Sequence, residues 1–243
     1  MDLQFHVLAN DPTFFGLYGV TSYLSAYSDE ETIRWVGKLY RHYCIEGKTD
    51  RLTDTYRLPH LQNPDFEDGL NSWAASPAAE GSITTGSLPG LSWLEGRYPM
   101  TTQGNSYLLM KRSDKAPNRV TQTLKALQPG KLYSLKMISS DYGELTAGKS
   151  SQQTYALSLD LSDVELAPDK CFQFPFPSCY AHSHGPFNRD NRAWFNLHNL
   201  VFRAQGTEAK LTISDWAKTD QAGGPAGQEL LMNFVEVQPY YAD

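Results

Sequence analysis

The chain has 243 residues, of which 40% are hydrophobic and 20% charged, and its formal net charge is −6. This composition is typical of a folded globular protein and excludes a disordered chain. Lysine and arginine form no basic run, and no apolar stretch reaches the roughly 18 residues of a membrane-spanning helix, so we expect neither nucleic acid nor a membrane as a partner.

The chain begins with a short apolar segment and a helix signal. Residues 3–9 form an apolar run that predicts a buried strand. Asn10 is an N-cap candidate and Pro12 stands at the first helical position, so we predict a helix that reaches about residue 27. The N-terminus lacks the charged and apolar regions of a signal peptide.

A second helix is indicated by both of its ends. Ser28 and Glu31 form a capping box, in which the two residues satisfy backbone N–H groups of the first turn. The apolar residues that follow keep one helical face, and Gly47 stands where a glycine commonly ends a helix. Cys44 falls within this pattern, where we expect a buried, small apolar side chain. The sequence therefore predicts a two-helix segment with a polar linker over residues 1–61.

An acidic bend follows the linker. In residues 63–73, Phe66 predicts a short strand, and Gly69 can adopt the positive φ that a sharp bend often requires. Trp73 has a large apolar surface and one indole N–H, and we expect it to be buried as a plug of the core.

The rest of the chain has the two-residue period of half-buried strands. Apolar and polar residues alternate at 133–137, 155–161, 200–204 and 209–214, and a last strand is predicted over 229–238. A Pro-Gly turn at Pro129 and Gly130 leads into one of these strands. We predict a mainly β fold, an antiparallel β-sandwich over residues 62–243, with its first and last strands adjacent.

Two segments resemble a known group of domains. Residues 63–73 resemble the opening of carbohydrate-binding modules of families four, nine, sixteen and twenty-two, which often begin Asn-Gly-x-Phe-Glu and continue to Gly-x-x-x-Trp; Pro64 replaces the usual glycine. The run Val-x-Gln…Leu-x-Pro-Gly-Lys-x-Tyr-x-Leu at 120–135 resembles the same group, where it marks neighbouring strands. The resemblance implies a galactose-binding-like jelly-roll sandwich that binds polysaccharides or oligosaccharides.

The helical segment resembles a different architecture. Gly-Leu-Tyr-Gly-Val at 16–20 and Arg-Trp-Val-Gly-Lys-Leu-Tyr-Arg-His-Tyr at 34–43 resemble the closing strand and helices of a glycoside-hydrolase-type (β/α)8 barrel. This resemblance implies that the chain is the C-terminal part of a larger enzyme. A catalytic barrel in the same parent chain is then its partner, in an extracellular or periplasmic location.

Aromatic residues in turn-rich stretches are candidates for sugar binding. Aromatics make up 12% of the chain, and flat rings can stack on the apolar face of a pyranose while polar groups bind its hydroxyls. We select Trp93, Tyr142 and Tyr180 as ring platforms and Arg97 and Arg112 as polar partners. Packing within the fold is the alternative role for each of these residues.

The acidic bend is a candidate calcium site. The resemblance to carbohydrate-binding modules implies a structural Ca²⁺ between the first and last strands, and the family's glutamate ligand corresponds to Glu67. Asp65 lies one strand period before it and is the second candidate ligand. Hard oxygen donors at adjacent strand ends suit this ion. Asn233, in the predicted last strand, offers a carbonyl oxygen without the charge that the family tends to place there. A solvated acidic turn without an ion remains the alternative.

Cysteine and histidine residues leave two further possibilities. Cys171 and Cys179 could form one disulfide in an exported protein. Cys179 also precedes His182 and His184, a combination able to bind zinc or copper, but no second pair stands at a zinc spacing. We interpret this segment as a polar surface loop.

The sequence contains no recognisable catalytic motif, such as Gly-x-Ser-x-Gly or His-Glu-x-x-His. We therefore predict non-catalytic carbohydrate binding by a C-terminal accessory module of a glycoside hydrolase-like protein. One alternative is a structural sandwich that clamps a barrel without a ligand. Another is a fragment that contributes to a glycosidase active site, which requires two facing carboxylates about 5–9 Å apart.

Overall fold

The computed structural model describes residues 2–14, 30–52, 60–96 and 104–240. The chain divides into two compact units, one formed by Leu58–Pro239 and the other by the residues up to Arg57 together with those from Tyr240 onward. Within the described residues, every helix is too short or too polar to cross a lipid bilayer.

The N-terminal unit is helical in its described part. Helix α1 spans Asp2–Asn10 and a 3₁₀ turn spans Pro12–Phe14, while α2 spans Glu30–Leu39 and continues as a π-helix over Tyr40–Ile45. The strand predicted at 3–9 is therefore wrong, because a short apolar run does not distinguish a strand from a helix. The remainder of the first predicted helix, and residues 16–20 of the barrel resemblance, lie outside the described residues.

The second predicted helix is confirmed from Glu30 onward, while its predicted cap, Ser28, lies outside the described residues. A buried carboxylate lies beside this helix. Phe5, Leu39 and Tyr43 form the small core of this unit. The Tyr43 hydroxyl donates to Asp2 Oδ1 at 2.7 Å, and Arg51 Nε lies 3.4 Å from Asp2 Oδ2. Burial and the neighbouring Asp2 carboxylate raise the pKa of Tyr43 to about 12.

Cys44 is exposed, contrary to prediction. It lies in the π-helix of Tyr40–Ile45, whose wider turn changes the phase of the side chains relative to the α-helical pattern. After it, Gly47 has a φ of 65°, in agreement with its predicted role at the helix end.

The second unit contains two antiparallel sheets. Sheet A has the order β1 (Ala74–Ser76), β4 (Arg119–Leu124), β10 (Ala209–Ser214), β6 (Ser158–Ser162). Sheet B has the order β2 (Ile83–Ser87), β3 (Ser106–Lys111), β11 (Glu229–Pro239), β5 (Leu132–Asp141), β9 (Trp194–Ala204). The short β7 (Val164–Leu166) and β8 (Phe172–Pro177) both pair with β9. Two short helices, α3 (Leu91–Leu94) and α4 (Tyr142–Thr146), and a 3₁₀ turn at Pro168–Lys170 interrupt the strands.

The main core lies between the two sheets. Sheet A contributes Val120, Leu124, Leu211 and Ile213, and sheet B contributes Leu108, Met110, Leu135, Met137, Leu230 and Met232. Each such side chain stabilises the fold by about 1.5–3 kcal/mol when fully buried. The predicted mainly β, antiparallel sandwich is therefore confirmed.

Most predicted strands are present, with one partial error. Strands β5, β9 and β10 include three of the segments predicted from alternation, and β11 includes the predicted last strand. At 155–161, however, β6 begins only at Ser158. Tyr155 precedes it as a buried loop residue whose N–H donates to Asn196 Oδ1 at 3.0 Å. The side chain of Asn196 therefore accepts the hydrogen bond that the backbone of a neighbouring strand would accept within a sheet.

The acidic bend is a turn and contains no strand. Phe66, predicted to lie in a strand, has a φ of 56°, while Gly69 has the positive φ expected of it, also 56°. Phe66 is buried against Trp73, with ring centroids 5.1 Å apart. Trp73 is buried as predicted, and its indole N–H donates to Asn63 O at 3.0 Å.

Two expectations about strand neighbours are wrong. The first strand, β1, pairs with β4, whereas the last, β11, lies between β3 and β5. The strands of the 120–135 run, β4 and β5, follow each other along the chain but belong to different sheets. The Pro-Gly turn between them therefore carries the chain from one layer to the other.

Candidate functional site

The face of sheet B that is turned away from sheet A, here called the outer face, is partly covered. Leu91 and Leu94 of α3, Leu145 of α4, and Phe187 pack on this face. They form a second hydrophobic cluster with the strand residues Tyr107, Ile138, Phe195 and Leu231. Sheet B thus has apolar residues on both faces, which obscures strict alternation in its sequence.

Strand β8 carries a line of exposed rings, here called the aromatic row. Phe172, Phe174 and Phe176 alternate along β8 and therefore share its outer face. Phe172 is 40% exposed and Phe174 44% exposed. Ring centroids are 5.6 Å apart for the first pair and 6.4 Å apart for the second. The row ends at the covered cluster, where Phe176 lies 5.8 Å from Phe195.

Prolines block the free edge of β8. The N–H of Ser178, just after the strand, donates to Ala193 O at 2.7 Å, so every second residue back from Ser178 directs its backbone groups toward β9. Pro175 and Pro177 occupy the alternate positions, which point away from β9. Proline has no N–H, so this edge is poorly suited to pairing with another strand. The exposed rings therefore lie on a strand whose free edge does not readily bind another strand.

A line of polar side chains crosses the sheet beside the row. Asn199 pairs with Phe172 across β8 and β9, Lys136 pairs with Asn199, and Glu236 pairs with Lys136. The Asn199 amide donates to Lys170 O at 3.1 Å, while Lys136 and Glu236 are partly exposed. This polar line places donors and acceptors next to an apolar platform.

Trp93 lies beside the loop that carries Tyr180. Its ring packs on His182, with centroids 4.2 Å apart and planes inclined at 43°. His182 is buried, and burial lowers its pKa, so the predicted polar surface loop is buried at this residue, whereas His184 is exposed. Tyr180 is 66% exposed. The loop begins directly after β8, so Tyr180 follows the aromatic row along the chain.

Tyr142 is a packing residue of the covered region. It opens α4, is partly buried, and lies with its ring centroid 5.4 Å from that of Tyr107. Burial and the hydrogen bond to Tyr142 raise the pKa of Tyr107. Tyr142 therefore packs in the covered part of the outer face, and less of its side chain is exposed than that of Tyr180.

Of the two predicted arginine partners, Arg112 is an internal residue of the fold. Arg97 lies outside the described residues. Arg112 is only 2% exposed, and its guanidinium donates to the carbonyls of Ala222 and Ala156. Burial lowers its pKa. Arg112 thus holds two backbone segments together inside the fold, which corrects its interpretation as a surface group.

Asp65 and Glu67 both bind backbone N–H groups. Asp65 Oδ1 accepts from Phe234 N at 3.1 Å and Glu67 Oε1 from Gly104 N at 2.7 Å. A pocket of about 480 Å³ is lined by Asn63, Pro64, Asp65, Glu67, Asp68, Asn71 and Ser72. Its oxygen atoms suit Ca²⁺ chemically, yet the described residues contain no group of three or more Asp, Glu, His or Cys placed to hold a metal ion. The calcium site stays a prediction.

The disulfide considered between Cys171 and Cys179 is not formed. Cys179 is exposed, whereas Cys171 is partly buried. The Cys171 thiol lies 3.2 Å from Ala167 O and accepts from Val201 N at 3.3 Å. Its sulfur therefore contacts the backbone of the segment between β7 and β8 and that of the neighbouring β9.

The aromatic row was not predicted from the sequence, although its signal is visible there. Phe172, Phe174 and Phe176 repeat with the period of a strand, but the prolines between them argue against a strand when the segment is considered by itself. Prolines are compatible with a strand when they occupy the outward positions of an edge. An alternating aromatic and proline pattern can therefore predict an edge strand with an aromatic face.

No family model matches the chain, and no curated relative matches it. Among solved structures, the carbohydrate-binding module TmCBM61 in complex with β-1,4-galactotriose is 14% identical, with a TM-score of 0.38 over 74% of this chain and 97% of that one. The enzymatically active domain of tailspike protein 4 from bacteriophage CBA120 is 11% identical, with a TM-score of 0.42 over 75% and 21%. A CBM4 structure is 12% identical, with a TM-score of 0.32 over 73% and 97%. These similarities are too low to transfer a ligand.

Proposed function

We propose that the unit formed by Leu58–Pro239 binds carbohydrate without cleaving it, through the aromatic row and the neighbouring Tyr180. The observation that carries this proposal is the exposure of Phe172 and Phe174, at 40% and 44%, on one face of a strand. Large rings are normally buried because their exposure to water is unfavourable. Two adjacent exposed rings on a rigid strand are therefore well placed to receive an apolar ligand surface.

The surroundings of the row suit a sugar better than a purely apolar ligand. The C–H face of a pyranose can stack on Phe172 while its hydroxyls reach Lys136, which lies in the polar line beyond the buried Asn199. Lys136 and Glu236 carry opposite charges on neighbouring strands, so the line has no net charge to favour an acidic ligand. With few contacts offsetting the ordering of a flexible chain, the dissociation constant should lie in the micromolar to millimolar range.

We further propose that this unit is an accessory module of a glycoside hydrolase-like protein, located outside the cell or in the periplasm. The bend at 63–73 and the segments at 16–20 and 34–43 support this through their resemblances. In that setting the module holds a polysaccharide near a catalytic barrel of the parent chain and raises its effective concentration. A structural Ca²⁺ at Asp65 and Glu67 belongs to the same proposal.

The test is titration against a panel of soluble polysaccharides, with hydrolysis products followed in the same samples. Binding without cleavage supports the proposal, and cleavage would make the chain part of an active site. If no polysaccharide binds and none is cleaved, the alternative of a structural sandwich that clamps a barrel without a ligand is favoured.

Matched variants locate the site. Phe172→Ala and Phe174→Ala each remove one exposed ring of the row, while Phe14→Ala removes a ring of similar exposure, 39%, in the other unit. We expect about a fivefold loss of affinity for the first two variants, because covering the exposed part of a phenylalanine ring contributes roughly 1 kcal/mol, and none for the third. Equal affinity in all three would exclude the row.

A further inference from the structure

A buried polar cluster attaches β8 to the sandwich. On the face opposite the aromatic row, the Gln173 amide donates to Asn196 Oδ1 and to Tyr155 O, both at 2.9 Å. Asn196 Oδ1 also accepts from Tyr155 N at 3.0 Å, and its amide donates to Gln153 O at 2.8 Å. The cluster therefore joins β8, β9 and the loop that precedes β6.

A buried histidine lies next to this cluster. His198 pairs with Gln173 in the β8–β9 ladder, so their side chains share one face. The His198 ring nitrogen Nε2 is 2.8 Å from Ser139 Oγ on β5, and the two residues are only 3% and 0% exposed. A charged imidazolium at this position would lose most of its hydration, which opposes protonation in the closed fold.

The groups around His198 do not offset that cost. Burial lowers the pKa of His198 to about 3. Of the neighbouring elements, β8 presents the neutral Gln173, and the loop presents Tyr155, whose pKa burial raises to about 12, so it stays neutral in acid. On β5, Asp141 lies two positions beyond Ser139 on the same face, where it accepts from Glu144 N and Gln228. Sheet A presents the apolar core.

We propose that acid opens β8: when the strand detaches, His198 becomes accessible and takes up a proton, which stabilises the detached state. Detachment moves Gln173 away from the neighbouring His198 and separates the aromatic row from the rest of the sheet. As far as ligand release is concerned, this inference rests on the proposed function; the opening itself does not.

The size of the effect follows from linkage. His198 protonates normally, near pH 6.5, in the open state but only near pH 3 in the closed state. The group favours the closed state above pH 6.5, and this contribution is lost as the pH falls toward the lower value. Between these limits the ratio of open to closed chains should rise about tenfold for each unit by which the pH falls.

Hydrogen exchange of backbone amides tests the opening in the intact chain. The amides of Phe174 and Phe176 point toward β9, and their protection relative to intrinsic exchange reports detachment of β8. From pH 6 to pH 4 we expect their protection to fall about a hundredfold in total, at the rate of tenfold per unit. The amide of Leu211, in the middle of β10, should stay far more protected than these two at every pH, which separates local opening from global unfolding.

Three variants complete the test. In His198→Gln the β8 protection should not vary with pH, whereas His184→Gln, which changes an exposed histidine, should behave like the unmodified chain. Ser139→Ala keeps the titrating group, so it should show lower protection with the same slope even if the glutamine variant fails to fold. A flat profile in the unmodified chain or in Ser139→Ala, or an unchanged slope in His198→Gln, would overturn the inference.

Binding measurements separate this inference from the function. The affinity for whichever polysaccharide binds at pH 7 is measured again at pH 4 in the unmodified chain and in His198→Gln. A loss confined to the unmodified chain supports acid release. If no polysaccharide binds at pH 7, the proposed function fails, while the exchange data still decide whether acid opens β8.

Discussion

The carboxylate of Asp65 accepts a hydrogen bond from the backbone N–H of Phe234, across 169 positions of sequence. Phe234 has a φ of 54°, and the pairing of β11 with β5 shifts register between Asn233 and Glu236. A bulge of this kind turns backbone groups away from the strand ladder. The next residue, Val235, donates its N–H to Pro64 O at 3.1 Å. The acidic bend therefore binds the backbone that the bulge in the last strand displaces.

This arrangement predicts a structural role for Asp65. In Asp65→Ala the N–H of Phe234 loses a charged acceptor, and we expect the free energy of unfolding to fall by about 1–3 kcal/mol. Urea unfolding followed by tryptophan fluorescence measures the change. Asp114→Ala, at an exposed acid, is the control and should change stability by less than about 0.5 kcal/mol. Equal stability of the two variants would contradict the role.

The bend also shows what the sequence could and could not predict. Gly69 and Trp73 behave as expected, because one needs backbone freedom and the other needs burial, and both properties are local. Phe66 was misassigned because its apolar side chain is buried by a turn with positive φ, which period-based reasoning does not anticipate. The pairing order of the strands depends on contacts distant in sequence, so the adjacency of first and last strands was wrong.

The buried carboxylate of Asp215 joins the ends of two strands in sheet A. Asp215, after β10, accepts from Asn118 N at 2.9 Å and from Asn118 Nδ2 at 2.6 Å, just before β4. Asn118 Oδ1 in turn accepts from Ala78 N at 2.8 Å and from Ser82 Oγ. Both Asp215 and Asn118 are fully buried, and burial raises the pKa of Asp215.

Removing this carboxylate should be costly. In Asp215→Ala two buried donors of Asn118 lose their acceptors, and we expect the free energy of unfolding to fall by at least about 2 kcal/mol. The measurement is chemical denaturation at neutral pH. Asp160→Ala, at an exposed position of the neighbouring β6, should have little effect. A loss in Asp215→Ala no greater than in this control would show that the network does not stabilise the fold.

The candidate site was less predictable than the fold. Trp93, Tyr142 and Tyr180 were selected because they lie in turns, yet only Tyr180 is largely exposed. Arg112 has a polar side chain, but it is buried, and two backbone carbonyls inside the fold accept hydrogen bonds from its guanidinium. Exposure depends on how α3, α4 and the loop after β8 cover the outer face, and that is a tertiary property. The alternating phenylalanines were the local signal, and their prolines concealed it.

The calcium proposal predicts a metal-dependent stability. If Ca²⁺ binds the folded chain at Asp65 and Glu67, adding it to chelator-treated protein should raise the melting temperature, because ligand at a hundred times its dissociation constant adds about 2.7 kcal/mol. Glu67→Gln should reduce the increase, whereas Glu80→Gln, at another exposed acid, should not. Differential scanning calorimetry with Ca²⁺ and with Mg²⁺ makes the comparison. No increase with Ca²⁺ would leave the acids as backbone acceptors only.

The prolines of β8 predict a change in association state. Pro175 and Pro177 remove the N–H groups that would otherwise point outward from an edge strand, next to the exposed Phe172 and Phe174. The double variant Pro175→Thr, Pro177→Thr restores both donors on a strand of high β propensity, which favours pairing between copies. We expect sedimentation velocity to show larger species that increase with concentration. Pro225→Thr, in an exposed loop, should sediment like the unmodified chain. If the double variant does so too, the aromatic face is protected from association by something other than its edge, and the prolines serve only to stiffen β8.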